Sequence, residues 1–152
     1  MNVGEVNCRK LGRSQYLQFK ELIGVFNRVF QTEETVRQVD DEYIKTLLSN
    51  PDFIVFVIIQ KEKVVGGLTA YQLPMYYQAQ KEIFIYDIAI DAEFQRMGLG
   101  RKLLATLKEY GKINNIPACF VAAHEEDREV LKFYAATGGV GESVKHFNYD
   151  LR

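Results

Sequence analysis

A chain of 152 residues has the length of one domain able to bury a sizeable core. Its 19 basic and 20 acidic residues leave a net charge of −1, without the basic footprint of a nucleic-acid binder. A hydrophobic share of 47% and a charged share of 26% exclude a disordered chain. The longest apolar run, residues 53–59, is a strand's length and cannot span a membrane. Cys8 and Cys119 lack any C-x-x-C spacing, which leaves zinc unsupported and suits two free thiols in a reducing compartment. No basic-then-apolar leader opens the sequence. The expectation is a soluble cytoplasmic protein of one domain, residues 1–152.

In chain order, residues 3–11 read as a strand and Ser14 as a helix cap. Leu17, Phe19, Leu22, Ile23, Phe26 and Phe30 then recur at helical spacing. A polar stretch, 31–39, separates this helix from a short one that Asp40-Asp41-Glu42 begin, acids that suit the positive end of a helix dipole. Residues 53–60 and 64–73 read as strands joined by a turn at 61–63. Residues 83–90 form a third apolar strand. Leu99, Leu103, Leu104, Leu107, Tyr110 and Ile113 give the helix 98–114 one apolar face. A strand at 117–123, a helix at 128–136 and a last strand at 142–151 complete the order. The expected class is α/β (α+β), a mixed sheet flanked by helices.

The segment 83–101 carries the most chemistry. A buried strand runs through Gln95-Arg96-Met97-Gly98-Leu99-Gly100-Arg101 into the long helix. Glycines at a helix start admit a ligand close to the backbone, and the free amides there favour phosphate. Arg96 and Arg101 add positive charge. The string is neither a G-x-G-x-x-G loop nor a G-K-[ST] loop. It resembles the acyl-CoA pyrophosphate loop of the GCN5-related N-acetyltransferase (GNAT) superfamily. Downstream, Asp127 to Gly138 resembles the superfamily's N-x-x-A-x-x-[LF]-Y-x-x-x-G-F helix. Asp127 stands where Asn is usual, and Gly139-Val140 where Gly-Phe is usual. The stretches 64–74 and 82–90, with His146-Phe147, are further similar to the aminoglycoside 3-N-acetyltransferases, from about residue 20 onward.

That resemblance implies the GNAT fold, a mixed, mostly antiparallel sheet, and acetyl-CoA as cosubstrate without a metal. It implies direct acetyl transfer to the 3-amino group of an aminoglycoside, a polycationic amine, without nucleic acid or membrane as partner. It also admits a homodimer, though no segment compels one. Rival readings are acetylation of a polyamine or a peptide N-terminus, and a non-catalytic acyl-CoA sensor. Coenzyme contacts are expected from the backbone of Ile88, Ala89 and Ile90, from Gln95 to Arg101, and from Asp127, which serves equally as a plain helix cap.

Asp87 is one carboxylate in an apolar strand, where burial demands a partner. It either makes a structural hydrogen bond or binds the substrate's ammonium and accepts its proton. Tyr134 either protonates the departing thiolate or packs in the core. Tyr76, Tyr77, Glu125 and Glu126 are candidate walls of the acceptor site. Tyr71 and Tyr86 read as packing residues.

Overall fold

The computed structural model describes residues 5–32 and 39–152. Its elements are β1 (Asn7–Lys10), α1 (Tyr16–Phe30), α2 (Asp41–Ser49), β2 (Phe53–Gln60), β3 (Lys63–Pro74), β4 (Lys81–Ile90), α3 (Leu99–Ile113), β5 (Cys119–Val121) and α4 (Arg128–Ala136). The strands lie in the order β1-β2-β3-β4-β5. All neighbours are antiparallel except β4 and β5, which are parallel. The class is therefore the expected mixed, mostly antiparallel sheet with helices. The chain divides into two units, Met1–Ala122 with the whole sheet, and Ala123–Arg152 with α4.

Within the first unit, strand periodicity sorts side chains onto two faces. Phe53, Val55 and Val57 of β2 join Phe19, Leu22, Val25 and Phe26 of α1 and Ile44 and Leu48 of α2 in one core. The opposite face carries Ile54, Phe56 and Ile58, and on that side Phe56 meets Tyr110 of α3, ring to ring, at 5.9 Å. Leu22 is wholly buried, and truncating it to alanine would cost about 2–5 kcal/mol. Gly67 lets α1 approach this closely: a Cβ there would sit 2.7 Å from Leu22 and 2.5 Å from the Phe56 carbonyl oxygen.

Lys61 and Glu62 join β2 to β3 across the Gln60–Lys63 pair, both with positive φ, 49° and 64°. That is the two-residue mirror-image turn whose twist matches paired strands, here built without glycine or asparagine. Asp40 caps α2, its carboxylate accepting from the Glu42 amide at 3.2 Å. Ser14 does not cap α1 as expected. It lies inside a 3-10 turn, Arg13–Gln15, where the Gln15 side chain accepts from the Gly12 amide at 2.7 Å.

Three of the expected strands are shortened or absent, β1 among them with only Asn7–Lys10 of the expected 3–11, because a strand persists only where a neighbour supplies a ladder. β5 has three residues rather than the seven of 117–123, and pairs only with Ile83–Ile85. The expected strand at 142–151 is absent. Val144, Phe147, Tyr149 and Leu151 stand exposed, and no described strand pairs with this segment. Of the expected strand at 3–11, residues 3 and 4 lie outside the described residues, as does 33–38 of the polar stretch.

Candidate functional site

β4 is the strand on which the first unit's chemistry converges. Its register against β3 slips between Thr69 and Ala70: Ala70 pairs with Ile85, and Thr69 with Asp87. Tyr86 is the extra residue of a β-bulge. Up to that point Ile83 and Ile85 face α3; beyond it Ile88 and Ile90 do. In an unbroken strand Asp87 would fall on that same α3 face, since a one-residue shift exchanges the faces. The bulge instead sends Tyr86 and Asp87 together to the α1/α2 face, beside Tyr71. The Tyr71 and Tyr86 rings meet edge to face at 5.8 Å.

Asp87 is half-buried, and desolvation holds its carboxyl above the ordinary 3.8. Among the described residues no hydrogen bond or ion pair engages it. The alternative of a structural hydrogen bond is therefore not met among the described residues. Burial first, then the neighbouring Tyr86, Tyr43 and Asp87, push the Tyr71 phenol up as well. The parallel ladder to β5 ends at Ile85 and Val121. From Asp87 to Ile90, β4 pairs with β3 on one side alone among the described strands. A strand edge of that kind is a template for an extended, hydrogen-bonding ligand.

The strand then feeds the glycine loop. The Asp91 carboxylate accepts from its neighbour's amide, Ala92 N, at 2.9 Å and from Arg28 of α1 at 2.7 Å, fastening the start of the loop. The Gln95 side-chain amide donates to the Ile90 carbonyl at 2.9 Å. That bond braces the loop in which Gln95 is expected to meet coenzyme. Arg96 has φ 62° and Gly98 φ 78°, so the chain doubles back before Leu99 and Gly100 start α3. Around the position of a Gly98 Cβ nothing lies within 4 Å. Gln95, Arg96, Met97, Gly98 and Arg101 are exposed, whereas Leu99 is buried and anchors the helix. The first-turn amides of α3 are thereby presented with two arginines beside them, a cradle of anion-binding chemistry.

In the second unit, Asp127 caps α4 by accepting from the Val130 amide at 3.2 Å. Tyr134 is half-buried, 5.3 Å from the Phe133 ring, and its carbonyl accepts from Gly139 N at 2.9 Å as the helix closes. Glu125 and Glu126 are exposed in the turn before the helix. Tyr76 and Tyr77 belong to the first unit, at the tip of the β3–β4 hairpin, with rings 5.3 Å apart. Asp87 lies six residues beyond Lys81 along β4, about 20 Å from that tip at the rise of a strand. The tyrosines beside Asp87 are Tyr71 and Tyr86. Their signal in the sequence was the slip of the isoleucines from 83 and 85 to 88 and 90. Among the described residues no group of three or more His, Cys, Asp or Glu could hold a metal ion, and no helix is long and apolar enough to cross a membrane.

The bulged strand, the glycine loop and the amphipathic helix fall inside residues 18–138, which match the Acetyltransferase (GNAT) family. The chain belongs to this family. It is an acetyltransferase by that membership, and its structure is similar to solved aminoglycoside acetyltransferases. One, meta-AAC0020 from an uncultured soil metagenomic sample, is 34% identical in its complex with trehalose and 33% in its complex with sisomicin. Each comparison covers 97% of both chains with a TM-score of 0.93. Another, HMB0005 from an uncultured soil metagenomic sample, is 28% identical over 97% of this chain and 99% of its own, with a TM-score of 0.92. Among curated protein sequences none matches this GNAT chain.

Proposed function

We propose that this acetyltransferase moves the acetyl group of acetyl-CoA to the 3-amino group of an aminoglycoside. The observation that carries the reading is the course of β4. Within one run of chain it presents a half-buried carboxylate with no partner among the described residues, an open strand edge, and a helix start lined with backbone amides and two arginines. These suit, in order, an ammonium, a pantetheine arm and a pyrophosphate. The similarity to aminoglycoside acetyltransferases at 33–34% identity supports the acceptor class.

The loop fits the coenzyme: the space beside Gly98 is open, and Arg96 and Arg101 balance phosphate charge. When bound, acetyl-CoA supplies an activated acyl group. The chain's residues then divide the work. The backbone of Ile88, Ala89 and Ile90 pairs with the pantetheine amides, and one of these N–H groups polarises the thioester carbonyl. Asp87 holds the substrate ammonium and accepts its proton, which its raised pKa favours. Tyr134 donates a proton to the departing thiolate. Asp127, Glu125 and Glu126 supply further negative charge to a polycationic substrate. Transfer is direct, in a ternary complex, and the whole of 1–152 works as a single domain in the cytoplasm.

The test is acetyl-CoA turnover with a panel of kanamycin, gentamicin, polyamines and peptides, followed by NMR location of the modified nitrogen. Turnover of the aminoglycosides at the 3-amino group is expected. Acetylation at another nitrogen refutes the position, and brisk turnover of polyamines or peptides alone refutes the substrate class.

A further inference from the structure

A row of aromatic rings crosses the α1/α2 face of the sheet in register. Phe53 of β2 pairs with Tyr71 of β3, Tyr71 with Phe84 of β4, and Phe84 with Phe120 of β5. Phe53 and Tyr71 have centroids 5.0 Å apart, Phe84 and Tyr86 5.8 Å, and Phe84 and Phe120 lie nearly parallel at 4.9 Å. The row begins in the core, where Phe53 is 5% exposed, and runs out of it: Tyr86 is 61% exposed and Phe120 45%. Cross-strand aromatic pairs stabilise a sheet, which accounts for the buried end. It does not account for large rings left in water beside a carboxylate that has no partner among the described residues.

We propose that the open end of this row, Tyr71, Phe84, Tyr86 and Phe120, is the floor on which an amino-sugar ring lies while Asp87 holds that sugar's ammonium. This rests on the aminoglycoside reading above and assigns the acceptor subsite within it. Neighbouring strands are about 4.8 Å apart, so the floor from β3 to β5 spans about 10 Å, room for two linked sugar rings. The negative face of an aromatic ring attracts both an ammonium and the polarised C–H bonds of a sugar. A rigid ring also loses less freedom on a flat floor than a flexible polyamine does. Tyr43 of α2, 61% exposed, is close enough to bear on the Tyr71 hydroxyl and forms the rim of the same subsite. The bulge is what couples the parts, because it brings Tyr86 and Asp87 to one face.

The experiment uses Tyr86→Ala, Phe120→Ala, their double variant and Tyr86→Phe in the full chain, each checked for a wild-type melt. The chain has nine tyrosines and no tryptophan, so its intrinsic fluorescence reports tyrosine alone and gives kanamycin binding without turnover. Each alanine variant is expected to weaken kanamycin binding and raise its KM about 3- to 30-fold, the range of a single cation–π contact. The KM for acetyl-CoA should stay within about twofold, and Tyr86→Phe, which keeps the ring, should stay near wild type. Unchanged kanamycin affinity in the double variant overturns the floor. So does a KM for acetyl-CoA that rises in step with that for kanamycin. Ring-dependent kanamycin binding by a wild type that acetylates no aminoglycoside would sink the proposed activity and leave the floor standing. Acetylation indifferent to all four variants would do the reverse.

Discussion

Asp87 is held half-buried without a partner among the described residues, which costs stability that a catalytic or binding role recovers only when substrate is present. The direction of its shift fixes the sign. With the folded pKa above 3.8, the native state binds the proton more tightly than the unfolded state, so stability falls as pH rises from 3.8 through the folded value. Asp87→Asn should therefore raise the melting temperature at neutral pH, with the gain disappearing below about 3.8, where the wild-type carboxyl is neutral in both states. The same change should abolish aminoglycoside turnover, whereas Glu125→Gln or Glu126→Gln alone should cost little, both being exposed in a turn. Parallel melts and kinetics on the three variants check this, and a destabilised Asp87→Asn would mean the carboxylate has a partner in the folded protein. Tyr134 makes a second case. Tyr134→Phe keeps the ring against Phe133 and removes the hydroxyl, so kcat should fall on the order of 100-fold with acetyl-CoA affinity unchanged. A wild-type kcat would reduce Tyr134 to a packing residue.

At the level of elements, the loop and the bulge do different work and can be separated. Gly98→Asp should abolish acetyl-CoA binding by calorimetry, but its φ of 78° strains any side chain. Gly98→Asn, which tolerates a left-handed backbone, carries the same strain without the charge. Measurable binding by the Asn variant and none by the Asp variant assigns the loss to charge repulsion. Deleting Tyr86 would regularise β4 and leave Ile83, Ile85, Ile88 and Ile90 on the α3 face. That variant should fold as stably as wild type yet bind acetyl-CoA poorly, because a regular strand removes the bend that ends the β5 ladder. Helices α1, α2 and α3 and strands β2, β3 and β4 were legible because each buries one periodic face or one continuous run. The loop was legible because Gln95, Arg96 and Arg101 flank Gly98 and Gly100 in a string that resembles the acyl-CoA pyrophosphate loop; two glycines alone would read as an ordinary strand-to-helix turn. The face of Asp87 was not read, since strict alternation assumes an unbroken ladder. The tail at 142–151 misled for a related reason: apolar alternation there permits a strand but supplies no neighbour for it.

For the whole molecule, a net charge of −1 gives no long-range field to gather a cationic drug, so attraction must be local. Raising salt should increase the KM for a drug with several ammonium groups more than for a monoamine, as screening acts on the sum of contacts. A flat salt response for both would count against carboxylate recognition. The Lys61-Glu62 turn acts at this scale too, because it closes the hairpin at the centre of the sheet. Two residues without glycine or asparagine chemistry sit there in a left-handed backbone, at about 1–3 kcal/mol each. Replacing them with Asn-Gly should shift the urea midpoint upward with no change in slope. If β2 and β3 pair early in folding, the gain will appear as a faster refolding limb and leave the unfolding rate nearly untouched. A turn far from the chemistry would then govern how quickly a newly made chain becomes able to bind anything at all.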